Sequence, residues 1–219
     1  MMNKNDEVLL QSKKRIFENL GTITQSLASP ARLRILHILS NKPCTVELIS
    51  EMADENVGNT SQHLQRMLRA GLVRCEKQGV RRIYSLANNK ILDIWLSLQD
   101  LAIEIAPQIQ VDENHLSPAE LCSDLELSEI LKLVKSGKAV LADSRTEEEF
   151  ESTPAKGAFS FPVSQLSSLA SSLSKSKTVF VFCRGRYCIL ANQVVISLRK
   201  KGFKAFRLKE SSYQINKAM

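Results

Sequence analysis

The spacing of apolar residues changes abruptly at Gly71, and this change limits the possible folds of the chain more than any other feature. Before Gly71, apolar residues recur at helical spacing in short segments with their own start and stop signals. After it, residues 72–76 and 82–86 alternate like strands around residues 78–80, which predicts a β-hairpin. Short helices followed by a hairpin are typical of a winged helix-turn-helix domain, in which the hairpin forms the wing.

Local signals divide the first part of the chain into separate helices. Ser29 and Pro30 form a helix start, because a hydroxyl cap is followed by proline at the first helical position. Cys44 and Glu47 have the spacing of a capping box, with cysteine where serine or threonine is usual. Asn56 is a further cap. The predicted helices span residues 12–28, 31–39, 45–54, 56–70 and 88–106.

Three motifs in this region closely resemble the ArsR family of bacterial repressors. They are Ser29-Pro-Ala-Arg-Leu-Arg-Ile-Leu36, Thr60-Ser-Gln-His-Leu64 and Arg69-Ala-Gly-Leu-Val73, in that order. The resemblance covers about residues 15–105 and implies a mainly α winged helix-turn-helix fold that binds a double-stranded DNA operator. It also implies a homodimer joined through the first and last helices, and the apolar stripes on both of these predicted helices agree with that.

The helix over residues 56–70 is the predicted DNA-reading element. Its N-terminal half carries short polar side chains of the kind that read base edges in a major groove. Two arginines of the wing are expected to contact phosphates. A basic surface that is merely solvated is the alternative. The candidate DNA-binding residues are Asn59, Thr60, Ser61, Gln62, His63, Gln65, Arg66, Arg81 and Arg82.

Metal sensing is not expected. Metal sensors of the ArsR type carry Cys-x-Cys in the third helix or Asp and His sets in the last, whereas here residues 46–53 hold no cysteine and the last helix holds no histidine. We therefore predict no metal and no cofactor. Cys44 is a candidate redox-sensing residue, because a helix N-terminus lowers the pKa of a thiol. A packed cysteine in a serine position is the alternative.

The second half of the chain has a different pattern, in which helices alternate with apolar strands. Pro107 ends the preceding helix, and residues 107–117 are expected to form an exposed linker. Such alternation predicts an α/β domain with a parallel sheet over residues 118–219, after a winged-helix domain over residues 1–106. Strands are predicted at 139–143, 178–182 and 204–207, and helices at 127–134, 164–176 and 189–201.

The segment from Cys183 to Cys188 joins a predicted strand to the following helix. A cysteine at the carboxyl end of a parallel strand meets converging N–H groups and the positive end of a helix. Arg184 and Arg186 add positive charge, so a thiolate and a bound anion are both favoured, and Cys183 is the predicted nucleophile. Cys188 is either a second reactive thiol or a small buried residue. The candidate catalytic residues are Cys183, Arg184, Arg186 and Cys188.

This loop and its surroundings resemble a rhodanese domain over about residues 118–210. The resemblance implies sulfur transfer through a Cys183 persulfide, from a small sulfur-containing anion to a thiol acceptor. We therefore predict a DNA-binding regulator whose Cys183 captures sulfane sulfur or an oxidant and modulates operator binding. A sulfurtransferase enzyme with an accessory DNA-binding half, and a rhodanese fold used only for protein contacts, are the alternatives. The other residues that carry the resemblance are Asp143-Ser-Arg145, Glu148-Glu-Phe150, Gly157-Ala158 and Phe161-Pro162.

The net charge of +7 is unevenly distributed along the 219 residues. It divides into +3 for residues 1–106, −6 for residues 107–173 and +10 for residues 174–219, so only part of it falls on the predicted DNA-binding region. No apolar run reaches the roughly 20 residues of a membrane span. The first seven residues have no apolar segment behind their lysine, so a cytoplasmic protein with no membrane partner is expected.

Overall fold

The computed structural model describes residues 4–219, so residues 1–3, at the start of the segment in which no export signal is predicted, lie outside the described residues. The chain divides into two compact units, Met1–Gln99 and Asp100–Met219. No helix in the described part is long and apolar enough to cross a membrane.

The first unit is a winged helix-turn-helix, as the sequence predicts. Its three-stranded antiparallel sheet has the order β1-β3-β2, and β2 and β3 form the predicted hairpin. The core of this unit includes Ile35, Leu36 and Ile49, which are buried. The helices that carry them start and stop near the predicted signals. The elements are α1 (Lys4–Gln25), α2 (Pro30–Leu39), β1 (Cys44–Thr45), α3 (Val46–Ala53), α4 (Val57–Arg69), β2 (Val73–Gln78), β3 (Arg81–Leu86) and α5 (Asn89–Ile105).

One helix cap differs from the prediction. The side chain that caps α3 belongs to Thr45, whose Oγ1 accepts from the backbone N–H of Leu48 at 3.4 Å. Cys44 lies one residue earlier, in β1, where it is buried opposite Tyr84. The predicted cap at Cys44 is therefore wrong, because the hydroxyl beside it takes that role. The cap at Asn56 is confirmed, since its Oδ1 accepts from the N–H of Asn59 at 2.8 Å.

The second unit is an α/β fold with a parallel sheet, also as predicted. Its strand order is β5-β4-β6-β7, and all three pairings are parallel. Alternate residues of β6 enter two different buried clusters, Val179 and Val181 in one and Phe180 and Phe182 in the other, so both sheet faces are covered. The elements are α6 (Pro107–Leu116), α7 (Leu127–Lys135), β4 (Ala139–Asp143), α8 (Glu147–Ser152), β5 (Ala158–Ser160), α9 (Leu166–Leu169), β6 (Thr178–Cys183), α10 (Leu190–Lys200), β7 (Ala205–Ser211) and α11 (Ser212–Ala218).

The exposed linker predicted for residues 107–117 is wrong, because this segment forms helix α6. Pro107 does not only follow the previous helix; it occupies the start of the new one, where its missing N–H needs no partner. Glu113 and Ser117 are buried, although both looked solvent-exposed from their polarity. The predicted helix over residues 164–176 is also shorter than expected, with only α9 flanked by 3-10 turns.

Candidate functional site

Helix α4 presents most of the predicted DNA-reading side chains to solvent. Four of the candidates are exposed, namely Asn59, Gln62, Gln65 and Arg66, and so are Arg81 and Arg82 on the wing. Ser61 and His63 are half-buried. These residues share the helix face and the wing expected to meet DNA.

Thr60 departs from this arrangement, because its side chain is fully buried and its hydroxyl has no hydrogen-bond partner in the part of the chain that the structure describes. The expectation that Thr60 lies on the exposed face is wrong. Residues 60, 64 and 67 recur at helical spacing, and Thr60 therefore faces the core beside Leu64 and Met67. Burial and the nearby charge of Arg32 also lower the pKa of His63, which favours the neutral imidazole.

Cys44, the candidate redox-sensing residue, is buried in β1 and its Sγ donates to the carbonyl of Lys42 at 3.5 Å. The position at the helix N-terminus that would lower the pKa of a thiol belongs instead to Thr45. Redox sensing by Cys44 stays a prediction without that support.

The cysteine loop, residues 183–188, runs from the end of β6 to the start of α10, as predicted. Cys183 is fully buried, and the side chain of Cys188 is 8% exposed. Gly185 has a φ of +96°, and a Cβ there would lie 3.8 Å from the backbone oxygen of Lys209, so the tight loop packs closely against β7. The loop therefore holds both thiols in a confined space between the sheet and α10.

The two thiols share one hydrogen-bonded environment but differ in acidity. The Sγ of Cys183 donates to the carbonyl of Cys188 at 3.3 Å. Burial and contact with Cys188 raise the pKa of Cys183 well above the ordinary range. A hydrogen bond from Cys183 lowers the pKa of Cys188 to about 6 against the opposing effect of burial, with help from the N–H groups of Leu190 and Arg184.

The expected thiolate therefore falls on a different cysteine. We predicted from the sequence that the loop would favour ionisation of Cys183, whereas the structure favours ionisation of Cys188. At Cys188 the hydrogen bond from Cys183 and the N–H groups of Leu190 and Arg184 outweigh desolvation, whereas at Cys183 desolvation outweighs the N–H group of Ala191.

We expect an ultraviolet titration of thiolate absorbance to show one thiol ionising near pH 6. Below that pH the group is protonated and neutral, and above it the thiolate is present. The Cys188→Ser variant should lose this step, whereas Cys75→Ser, at a half-buried cysteine of the wing, should retain it. A wild-type titration in which every thiol ionises only above about pH 8 would contradict the assignment.

Both arginines of the loop are paired with carboxylates. Arg184 forms a bidentate pair with the buried Glu149, with N–O distances of 2.6 and 2.7 Å. Arg186 contacts Asp100 at 2.7 Å and the buried Glu113 at 3.4 Å. The carboxylates match much of the positive charge predicted for anion binding, so the clearest role of both side chains is to hold the loop in place.

Arg207 is a residue of this site that the sequence reasoning missed. It is buried on β7 beneath the loop, and its guanidinium donates to the carbonyls of Gly185, Arg186 and Leu116 and to Oδ1 of Asn192. Its Nε has no hydrogen-bond partner, and no carboxylate pairs with it in the described part of the chain. The signal in the sequence was an arginine at an inward position of an apolar strand.

Comparison with protein families agrees with both units. Residues 29–74 match the model of the bacterial regulatory proteins of the arsR family, and residues 126–218 match that of the rhodanese-like domain. The chain joins an ArsR-family DNA-binding domain to a rhodanese-like domain. We call the two units the ArsR-type unit and the rhodanese-like unit below.

Several transcriptional regulators are similar to this chain. HTH-type transcriptional regulator Rv0324 of Mycobacterium tuberculosis is 27% identical over 90% of this chain and 86% of its own length. HTH-type transcriptional regulator YgaV of Escherichia coli is 29% identical over 38% of this chain and 86% of its own length. The homodimeric winged helix-turn-helix domain of Mb0332 from Mycobacterium bovis is 27% identical, with 42% of this chain and 85% of that one covered and a TM-score of 0.40.

A chain of ionic contacts connects the cysteine loop to the helices that precede the rhodanese-like sheet. Glu113 of α6 accepts from Arg186 and, at 2.9 Å, from Lys209 of β7. Ser117, at the end of α6, donates to the carbonyl of Arg186 at 2.8 Å. The loop is therefore held by α5 through Asp100 and by α6 through Glu113 and Ser117.

Asp143 and Arg145 form an ion pair inside the rhodanese-like unit. Their side chains form a fully buried ion pair of 2.7 Å at the end of β4. Arg145 also donates to the backbone oxygen and the hydroxyl of Thr153. Ser144, between the two, donates to the carbonyl of Phe182, which fixes the end of β4 beside the strand that leads to the cysteine loop.

No three potential metal ligands converge anywhere among residues 4–219.

Proposed function

We propose that this chain is a homodimeric transcriptional repressor in which the Cys183–Cys188 pair captures sulfane sulfur or a related oxidant and thereby alters operator binding. The observation that carries the proposal is the paired arrangement of the two thiols. The Sγ of Cys183 donates to the carbonyl of Cys188 at 3.3 Å, and the hydrogen bond from Cys183 with nearby N–H groups lowers the pKa of Cys188 to about 6. A thiolate with a second thiol beside it is suited to capturing a sulfur atom and then closing a disulfide.

The chemistry balances with a polysulfide as the sulfur donor. The Cys188 thiolate attacks an S–S bond of the donor, a new S–S bond forms to the protein, and the electron pair of the broken bond leaves with the shortened polysulfide. The thiol of Cys183 then loses its proton and attacks Sγ of Cys188. The bond from that Sγ to the captured sulfur breaks, and the captured sulfur leaves with the electron pair and takes up the proton as hydrosulfide. Two thiols are oxidised to a disulfide, and one sulfane sulfur is reduced to sulfide.

A contact within the second unit supports a route along the chain from the loop to DNA binding. Arg186 lies between the two cysteines in the sequence and pairs with Asp100, the first residue of the second unit, in helix α5 (Asn89–Ile105). A disulfide between residues 183 and 188 would change the shape of the loop and with it the position of Arg186. The helix that continues from the ArsR-type unit would then respond to the state of the cysteines.

The test is DNA affinity with and without polysulfide. We expect inorganic polysulfide to change the affinity for a duplex, selected from a random-sequence library by the reduced protein, by about tenfold. Both Cys183→Ser and Cys188→Ser should abolish the change, and Cys75→Ser should keep it. The proposal would be contradicted if polysulfide left the wild-type affinity unchanged. It would also be contradicted if the two loop variants changed in affinity as much as the wild type.

Two further measurements separate the parts of this proposal. Each loop cysteine is replaced in turn, and mass spectrometry then locates the first added sulfur. Cys183→Ser should carry it on Cys188, whereas Cys188→Ser should gain little sulfur on Cys183 or Cys44. Arg186→Ala should still form the disulfide but lose most of the affinity change. Full retention of that change would exclude the Asp100 route.

A second candidate function is a sulfurtransferase that uses a cysteine persulfide, which the match of residues 126–218 to the rhodanese-like domain favours. A thiosulfate-to-thiol assay on the purified protein distinguishes the two. Repeated turnover without a polysulfide effect on DNA affinity would favour the enzyme. A single transfer per chain, together with changed DNA affinity, would favour the regulator.

Exposed apolar faces on α1 and α5 support the homodimer. Phe17 is 62% exposed and Ile105 is 71% exposed, and other large apolar side chains lie exposed on the same helices. Faces of this extent are uncommon on monomers and usually bury against a partner. The further exposed residues are Val8, Leu9, Leu10, Ile16, Leu20 and Ile23 on α1, and Ile94, Leu98 and Leu101 on α5.

Phe17→Asp should convert the dimer to a monomer of 24.5 kDa, because a carboxylate in an apolar interface loses hydration without gaining a partner. Light scattering coupled to size-exclusion chromatography measures the mass. Leu125→Asp, an equally drastic change at an exposed site of the rhodanese-like unit, should leave the dimer intact. A wild-type protein of monomeric mass would refute the dimer itself.

A further inference from the structure

A basic pocket lies in the ArsR-type unit. It has a volume of about 400 Å³ and lies between the C-terminal ends of α1 and α4, with α2 beside it. We propose that this pocket, the arginine pocket, binds a phosphate group, and that the DNA backbone supplies it when α4 enters the major groove. The proposal rests on DNA binding by the ArsR-type unit and is independent of the sulfur chemistry above. The residues that line it include Thr22, Gln25, Ser26, Arg32, Arg66 and Arg69.

Arg32 is the fixed part of the arginine pocket. Its side chain is buried, and its guanidinium donates to the carbonyls of Ser26 at 2.7 Å and Gln25 at 2.9 Å at the end of α1. These neutral partners orient the group, and its charge has no counter-ion among residues 4–219. Burial and the charge of Arg66 both lower the pKa of Arg32, as expected where positive charge accumulates without a carboxylate.

Arg66 and Arg69 complete the pocket from the last turn of α4. Both are exposed, and neither pairs with a carboxylate in the described part of the chain. The described residues that line the pocket include no carboxylate. Three guanidinium groups around one cavity repel one another in the absence of an anion, and a phosphate oxygen accepts from guanidinium groups in short charge-assisted hydrogen bonds.

The position of the pocket favours the DNA backbone as the source of the phosphate. Arg66 and Arg69 lie on the helix that exposes Asn59, Gln62 and Gln65, the side chains suited to reading bases. Phosphate contacts fix the orientation of a recognition helix, whereas base contacts supply the specificity. Arg32, held by the end of α1, would thus fix α4 on the duplex.

The test of the DNA source is the salt dependence of binding. Fluorescence anisotropy with a random-sequence duplex, on reduced full-length protein without polysulfide, gives the slope of log affinity against log salt concentration. We expect Arg69→Gln to reduce the magnitude of that slope by about 0.9, the value for one phosphate contact, and Arg69→Lys to retain it. The matched control, Arg15→Gln, removes the same charge from an exposed site on α1 outside the pocket and should leave the slope unchanged.

Calorimetry with inorganic phosphate provides the second arm. If the wild type binds phosphate about tenfold more tightly than Arg69→Gln, and the variant also loses salt dependence, the pocket takes a backbone phosphate. If phosphate affinity differs tenfold but the salt dependence of DNA binding is unchanged, the pocket binds a free anion and the assignment to the DNA backbone is wrong. If Arg69→Gln matches wild type in both measurements, the proposal is wrong. Neither measurement depends on whether the cysteines respond to sulfur.

Discussion

Replacing Arg145 with leucine is expected to lower the free energy of unfolding of the rhodanese-like unit by about 3–5 kcal/mol. Arg145 and Asp143 are both fully buried and lie 2.7 Å apart. The substitution leaves the Asp143 carboxylate in the core without its cation and leaves the carbonyl of Thr153 without a donor. Uncompensated buried charge accounts for most of the expected loss, and the missing hydrogen bonds add to it.

The matched control is the double variant with leucine at both positions 143 and 145. It removes the pair without leaving a charge behind, so its loss should be clearly smaller than that of Arg145→Leu. Urea unfolding followed by hydrogen exchange of β4 and β6 peptides measures both. Equal losses in the single and double variants would mean that the packing of the arginine, and not the ion pair, stabilises this part of the sheet.

Glu149→Gln is expected to lower the free energy of unfolding of the same unit by about 3 kcal/mol. Glu149 is almost fully buried, accepts both bonds from Arg184 and also accepts from the N–H and hydroxyl of Thr146 at the start of α8. Glutamine preserves the shape but removes the charge that Arg184 faces beside the cysteine loop. Glu151→Gln, at an exposed position of the same helix, is the control and should change stability little.

The Glu149 variant also has a defined pH dependence. Burial by itself would raise the pKa of Glu149, but the hydrogen bonds and charge of Arg184 and the bonds from Thr146 outweigh it and lower the pKa. A carboxyl with a lowered pKa in the folded state stabilises the fold above its unfolded pKa of about 4.3 and loses that contribution as the pH falls through the folded value. The difference between wild type and Glu149→Gln should therefore be full at pH 7 and shrink below about pH 4. A difference that is constant from pH 7 to pH 3 would exclude the ion pair as its cause.

The sequence was sufficient for the fold wherever the signals were local. The cap at Asn56, the stop near Gly71 and the strand alternation after it are each decided by neighbouring residues, and the structure has all three. The wrong cap at Cys44 also involves only neighbouring residues, because Thr45, one residue later, caps the helix instead. Residues 107–117 were misassigned because the partners that bury Glu113 are about 70 to 100 residues away in sequence, at Arg186 and Lys209.

The candidate sites were only partly predictable for a related reason. The position of the cysteine loop followed from the strand and helix around it. Which thiol ionises depends on the burial of each sulfur and on the hydrogen bonds that it accepts, and these are set by the three-dimensional packing. Thr60 shows that a polar side chain in a DNA-reading motif can still face the core. Arg207 was missed because, in the sequence, it is one of many lysines and arginines near the C-terminus. Its burial follows from acceptors that only the structure shows.

The thiolate of Cys188 also bears on how easily the cysteine switch resets. The hydrogen bond from Cys183, the N–H groups of Leu190 and Arg184 and the charge of Arg184 lower the pKa of Cys188 to about 6. A disulfide carries no charge and gains nothing from these contacts, whereas the reduced pair with one thiolate does. Stabilising the reduced form makes a dithiol couple more oxidising. We therefore expect a Cys183–Cys188 disulfide to have a higher reduction potential than a structural disulfide, so that cellular thiols reopen it once the sulfur donor is gone.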